Sequence, residues 1–397
     1  MLRASSLARL ASLCAALAAA PVLAQHRSAP PPGVAHYDVH ADRDRVHLLV
    51  GERVAHGIAL RHRRSDDGGA TWSAPTAVGG DAVEIFSPHP GEHPQIAARG
   101  DRVLALWTTR DTETKRGGPI AGAVSSDGGA SWRPVANPAG SSSAGYHGLI
   151  EIAADGDAFH AVWLRPSGQE AAVTQGLHYA RSTDGEHWDA VATLDADTCR
   201  CCWNRVVATG DGVGVLYRDG KPRDMAFAVL ANGAWREPVA AGRFDWGFEG
   251  CPHVGGALTS DGKRAVDALV WTGVDGERTG LYYLGSRDGG ASFGDLVRLG
   301  DATARESDLA RDGKRLVALF NAGGPGASAI KRAESDDAGR RWSASTVASA
   351  GTGFELVQPR LAATSHGLAT FWLERSREGT VLYVNGARFS SAAAAGP

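Results

Sequence analysis

Short stretches in which apolar and polar residues alternate recur along this chain, and a Gly/Asp turn then leads each into a second, more apolar stretch. Gln95-Ile96-Ala97-Ala98-Arg99, the turn Gly100-Asp101 and Arg102-Val103-Leu104-Ala105-Leu106-Trp107 show the form, and Ile150 through Trp163 repeats it. Alternation with a period of two predicts β-strands, and the turn residues predict hairpins between them. Seven such starts are found, near residues 37, 94, 148, 204, 254, 307 and 360. Each is followed by a further strand and turn region, which makes units of about fifty residues and four strands. Repetition of four-stranded sheets around an axis predicts an all-β propeller over residues 34–390, with seven blades by module count. A stacked β-sandwich is the alternative, but it does not account for a self-similar period.

A second pattern is nested in the first. Ser-x-Asp-x-Gly-x-Thr/Ser-Trp/Phe occurs as Ser65, Asp67, Gly69, Thr71, Trp72 and as Ser125, Asp127, Gly129, Ser131, Trp132. Ser182, Asp184, Gly185, Trp188 form a copy one residue short, and Ser286, Asp288, Gly290, Ser292, Phe293 a full one. In Ser335, Asp337, Gly339, Trp342 the hydroxyl position is taken by Arg341, and Asn232-Gly233-Ala234-Trp235 is a degenerate sixth. The expected structure is a clamped hairpin: Ser and Asp side chains bond the turn amides and the aromatic residue packs beneath.

Composition narrows the setting. The chain has 397 residues with 51 glycines and 11 tryptophans, and 41 basic against 44 acidic residues leave a formal net charge of −3. So even a balance gives no electrostatic reason to expect nucleic acid or an anionic membrane surface. Residues 1–24 read as a secretory signal: Arg3 and Arg9 supply positive charge, Leu10 to Ala20 is too short to span a bilayer, and Val22-Leu23-Ala24 sets cleavage before Gln25. Cys14 lies within it, after a Leu13 too large for the usual lipidation site. Residues 25–33 are a proline-rich lead-in and 391–397 a C-terminal tail. An exported protein, periplasmic or secreted and without a membrane span, is expected.

The boxes resemble the Asp-box (BNR) repeats of the sialidase superfamily, over nearly the whole mature chain. The resemblance implies a propeller, with six blades by family default, and boxes at the blade periphery away from the active site. It also implies sialidase chemistry: three arginines gripping a carboxylate, a tyrosine nucleophile polarised by a glutamate, and an aspartate as acid/base. The chain departs from that pattern. The region matching the usual Arg-Ile-Pro stretch reads Ala35-His36-Tyr37-Asp38-Val39-His40, without arginine. Arg218 and Arg360 are the candidates for a triad, and Tyr146, Tyr217 and Tyr282 show no distinctive pairing with a glutamate. Asp-box chains with Cys-x-Cys-Cys and Gly-Cys-Pro resemble a bacterial sialidase-like subgroup.

Propellers gather the beginnings of their innermost strands around the mouth of the central channel. Those positions hold His36 and Asp38, Glu92 and His93, Tyr146 and His147, then Cys199, Cys201, Cys202 and Trp203. Cys251 and His253 follow, then Arg305, Glu306 and Asp308, and finally Gln358 and Arg360. Three readings of the four cysteines stand open. They can form two disulfides, with three connectivities and Cys251 stapling module five to module four, giving a scaffold for an unspecified protein partner. They can hold a soft metal, copper first and zinc second, with His253, His147 or His93 as further ligands. They can exchange disulfides, although Cys-x-x-Cys is absent. His62, His160, His178 and His187 read as packed or exposed strand residues. His89-x-x-x-His93 has helical ligand spacing, but Pro88, Pro90 and Pro94 exclude a helix, so only His93 is kept. The sequence reading is a propeller whose mouth binds a metal, or alternatively a glycan as sialidase, other glycoside hydrolase or glycan-binding module.

Overall fold

Seven antiparallel sheets follow one another along the chain in the computed structural model, which describes residues 33–390 apart from 88, 90, 112–116, 142, 168–173, 211, 249 and 325. The leader, all but the last residue of the lead-in, and the tail lie outside the described residues. Their innermost strands are Val34–Asp42, Gln95–Arg99, Gly148–Ala154, Arg205–Thr209, Ala257–Ser260, Ser307–Asp312 and Glu355–Thr364. Each packs against the next, and the last against the first, so the ring closes. The fold is therefore a seven-bladed propeller, as the modules predict, and not the six blades of the family default. In blade four the outer position is shared by Ala234–Trp235 and Val239–Ala240, both paired with Met225–Ala231. No helix among the described residues is long and apolar enough to cross a membrane.

The core lies between blades, because each sheet has two apolar faces to cover. Ala97, Leu104, Leu106 and Val124 of blade two meet Ile150, Ile152, Phe159 and Trp163 of blade three. Tyr37, Leu48 and Val50 of blade one meet Phe371, Leu373 and Leu382 of blade seven. Burying each large side chain of this kind contributes about 1.5–3 kcal/mol. That packing is what closes the ring. The sequence of the C-terminal module shows no clear fourth strand, which leaves the N-terminus to supply one; the structure corrects this. Asn385 and Gly386 take left-handed conformations (φ 51° and 81°), so Ala387–Arg388 turns back onto Thr380–Val384 as a short fourth strand. Among the described residues before the first strand, Gly33 adds a bridge to Thr380.

The boxes are the expected clamps. Ser65 Oγ donates to Asp67 and accepts from the Gly69 amide, each in under 3 Å, and the Thr71 amide donates to Asp67 at 2.8 Å. The same bonds recur at Ser125, Ser286 and Ser335, and Arg341 replaces the hydroxyl by donating through Nε to Asp337. Each turn is also wedged against the preceding blade. A Cβ on Gly129 would lie 2.0 Å from His62, and one on Gly339 would lie 2.0 Å from Tyr283. Both glycines have positive φ, so the position admits no side chain. The boxes close the third strand of the blades that carry them, which runs away from the mouth, and so sit on the opposite face.

Acid stability follows from the buried titratable groups. Burial holds His36 and His93 down at about 3, His47 at about 2 and His62 at about 4, so the folded chain refuses protons that the unfolded chain takes up below 6.5. Burial raises Glu92 and Glu151 to about 7 and Asp308 to about 6, so the folded chain takes those protons first. The two effects oppose each other from about pH 6.5 to 4.5. Below that range the carboxyls are protonated in both states while the imidazoles continue to cost stability. The Asp67 clamp, held at about 2 by the Thr71 hydroxyl, is lost there as well. Chemical denaturation across pH is expected to show a plateau and then a steep loss below about pH 4.5. A smooth decline beginning at pH 6.5 would contradict this.

Candidate functional site

Cys199, Arg200, Cys201 and Cys202 form the turn that carries the chain from the outer strand of blade three, Ala192–Thr198, to the inner strand of blade four. The turn is held from three sides. The Cys199 amide donates to Arg218 O (3.0 Å), Asn204 donates to Leu149 O of blade three (3.1 Å), and the Trp203 ring fills the space beside Gly91 and Gly255. A Cβ on either glycine would come within 2.4 Å of that ring, so both neighbouring loops are packed onto the residue that follows Cys202.

The three sulfurs lie within 4.8 Å of one another, and all three side chains are buried. Cys199 and Cys201 are 3.8 Å apart. Arg218, itself buried, donates to Cys199 at 3.6 Å and Cys202 at 3.8 Å, and Arg223 donates to Cys199 at 3.8 Å. The Arg218 guanidinium lies over Trp246, 4.1 Å from the ring centroid, and also reaches the carbonyls of Trp246 and Phe248. Hydrogen bonds from Cys201 and Cys202, with Arg218 adding to them, pull the Cys199 thiol far below its ordinary value. Cys201 is raised, first by its bond to Cys199, and burial pushes Cys202 up to about 12. Its neighbours and Arg218 therefore favour ionisation at Cys199 over the other two thiols. All four cysteines among the described residues are free thiols; the stapling bridge expected of Cys251 is not formed.

The histidines divide. His147 is buried with both ring nitrogens engaged, Nδ1 with Gly145 O and Nε2 with Ser143, so it does not reach the thiols. His93 lies on the axis, where Arg360 donates to its Nε2 at 2.7 Å and Asp38 is 4.0 Å away. His253 is half-buried and stacks on His89, with ring centroids 4.1 Å apart. The sequence reading set His89 aside because prolines exclude a helix; an irregular loop brings it to the mouth instead.

Beneath the mouth, a channel of about 300 Å³ is lined by Asp38, Gln95, Glu151, Arg205, Asp308 and Arg360. Arg205 pairs with Glu151 at 2.8 Å, while Asp38 and Asp308 accept from the amides of Ile96 and Leu361 in the neighbouring blades. Glu151 and Arg205 were missed by the sequence reading. Their signal was legible, since each interrupts an apolar inner strand. Arg223 carried no such signal, because it lies in a loop. Arg218 and Arg360, the candidate carboxylate-gripping residues, occupy different settings: one against the thiols, the other against His93 and Asp38. Tyr146 donates a short hydrogen bond to buried Glu92, a pairing that the sequence did not reveal. Burial and then Glu92 raise the Tyr146 phenol.

No protein-family model matches this sequence, and no curated protein matches it. Among solved structures it is similar to an ulvan lyase of polysaccharide lyase family PL25, at 11% identity and TM-score 0.54 over 89% of this chain and 96% of that one. It is also similar to the Pyrococcus horikoshii acylaminoacyl peptidase, at 12% identity and TM-score 0.53 over 91% of this chain and 52% of that one. The β-propeller domain of the trilobed protease from Pyrococcus furiosus, described as having an open velcro topology, matches at 10% identity and TM-score 0.50 over 90% of this chain and 95% of that one. At these identities the likeness is one of fold: a propeller of antiparallel blades, with a glycan-acting enzyme among its neighbours.

Proposed function

We propose that the chain is an exported propeller that binds a soft metal, copper(I) first and zinc second, through Cys199, Cys201 and Cys202. The observation that carries this reading is the convergence of three buried thiols beside two guanidinium groups. A trigonal trithiolate with metal–sulfur bonds of about 2.3 Å sets its sulfurs about 4 Å apart, near the Cys199–Cys201 spacing. Three thiolates around a monovalent ion carry two excess negative charges, which Arg218 and Arg223 offset. Around a divalent ion the same set carries one, and zinc asks for a fourth ligand. That balance favours copper(I). The role is one of binding or handling the metal. Anaerobically purified, reduced protein is expected to take up one equivalent of copper(I), and the Cys199/Cys201/Cys202→Ser variant none. Absence of uptake by the wild type, or two intact disulfides in non-reducing mass spectrometry of the exported protein, would overturn it.

A second reading rests on Tyr146 and Glu92. Resemblance to sialidases implies a tyrosine nucleophile polarised by a glutamate, and this pair offers that contact at the mouth. A polysaccharide lyase shares the fold, but fold leaves the reaction to the site. In a fluorogenic sialoside assay, turnover by the wild type that is lost in Tyr146→Phe and in Arg360→Ala would put this reading first. No turnover would remove it.

A further inference from the structure

Burial creates a difficulty for a metal site of this kind. Copper(I) travels bound to soft ligands, so it reaches a buried trio by exchanging one sulfur or nitrogen for another. The trio therefore needs an accessible ligand beside it. Cys251 is exposed and is among the neighbours that raise the Cys201 thiol, and Arg223 Nη2 reaches both the Cys199 sulfur (3.8 Å) and the carbonyl of Gly250 (3.4 Å), the residue before Cys251. Two residues on, His253 is held in a left-handed conformation (φ 50°) and its ring lies against that of exposed His89. The His253 Nδ1 atom is buried and has no hydrogen-bond partner among the described residues. A donor left in that state is costly unless something else uses it.

We propose that Cys251, His253 and His89 form a capture site that receives copper(I) from a thiolate carrier and passes it through Cys201 to the buried trio. The proposal rests on the reading of the trio as a metal site and assigns Cys251 a passing role rather than a permanent one. The geometry is fixed by the same contacts that hold the trio. Trp203 packs against Gly91, next to the His89 loop, and against Gly255, just after His253. Arg223, which reaches Cys199, also donates to Phe248 O (2.6 Å) and Gly250 O (3.4 Å), on the approach to Cys251. Each transfer replaces one copper–sulfur bond by another with no change of oxidation state. The proton leaving the incoming thiol goes to the sulfur released.

The test loads wild type, Cys251→Ser and His89→Ala/His253→Ala anaerobically from a copper(I)–glutathione complex, measuring both rate and final stoichiometry. Expected is one copper per chain in all three, with loading slowed by at least about tenfold in Cys251→Ser and less in the histidine variant. A wild-type rate in Cys251→Ser would overturn the capture role and leave the metal site standing. Loss of stoichiometry in that variant, with an unchanged thermal melt, would make Cys251 a permanent ligand and overturn the transfer. No uptake by wild type would overturn the metal site and the capture proposal together.

Discussion

Cys199→Ser is expected to weaken copper(I) binding by roughly a thousandfold, because one ligand's share of the ~10–16 kcal/mol typical of thiolate-rich metal sites is about 4 kcal/mol. Cys199 is the sulfur with the most at stake. It accepts from both guanidiniums and is the thiol most favoured to ionise, so its removal takes away the sulfur on which Arg218 and Arg223 converge. A serine hydroxyl does not ionise there and is a hard donor. Competition with a copper(I) chelator measures the change. Cys202→Ser should cost less, since burial already disfavours its thiolate and Arg218 touches it at 3.8 Å only. Equal affinities for wild type and Cys199→Ser would move the metal elsewhere. The fold should survive each change, because sulfur and oxygen differ little in size and no disulfide is removed.

Arg205→Met should destabilise the protein by about 3–5 kcal/mol at pH 8, the usual result of removing one partner from a buried charge network. Asp38, Glu151 and Asp308 face the same channel, and Arg205 lowers the pKa of each. Even with that cation, burial holds Glu151 at about 7 and Asp308 at about 6. Without it they rise further, so at pH 8 the folded variant must either hold unpaired carboxylates or bind protons that the unfolded chain does not. As pH falls toward 5 the carboxyls become neutral in the folded state and the penalty shrinks. Urea denaturation at pH 8 and pH 5 distinguishes charge from packing: an equal loss at both values would mean that Arg205 acts through its bulk. Arg205→Lys should retain part of the stability, since a point charge replaces a planar fork that bonds Glu151 at 2.8 Å.

Much of the mouth was legible because a propeller repeats its register. Once seven inner strands are aligned, Asp38, His93, Asp308 and Arg360 fall at corresponding positions, and the structure places them around one channel. Glu151 and Arg205 obey the same register, but a single charge on an inner strand reads equally as a surface residue until the strands around it are seen to meet. His89 and Arg223 lie on loops, whose paths follow no period. Their positions depend on what they pack against: Trp203 and His253 for one, the carbonyls near Phe248 for the other.

The sequence by itself determined a propeller of four-stranded modules, seven by module count against six by family default, and the clamps that join third to fourth strands. These depend on local alternation and on turn chemistry spanning a few residues, which a repeated pattern states many times over. It also placed Cys199, Cys201 and Cys202 at the opening of the fourth inner strand. Only the tertiary structure decided how the ring closes, because Asn385-Gly386 makes a local turn while the ring itself closes by packing between residues more than 300 positions apart, such as Tyr37 and Phe371. It alone left Cys251 exposed beside a buried trio and set Arg218 and Arg223 over the sulfurs. Which charges surround a thiol depends on how the end of the second strand of blade four and the loop after it fold over the turn that enters the blade, and no spacing along the chain encodes that.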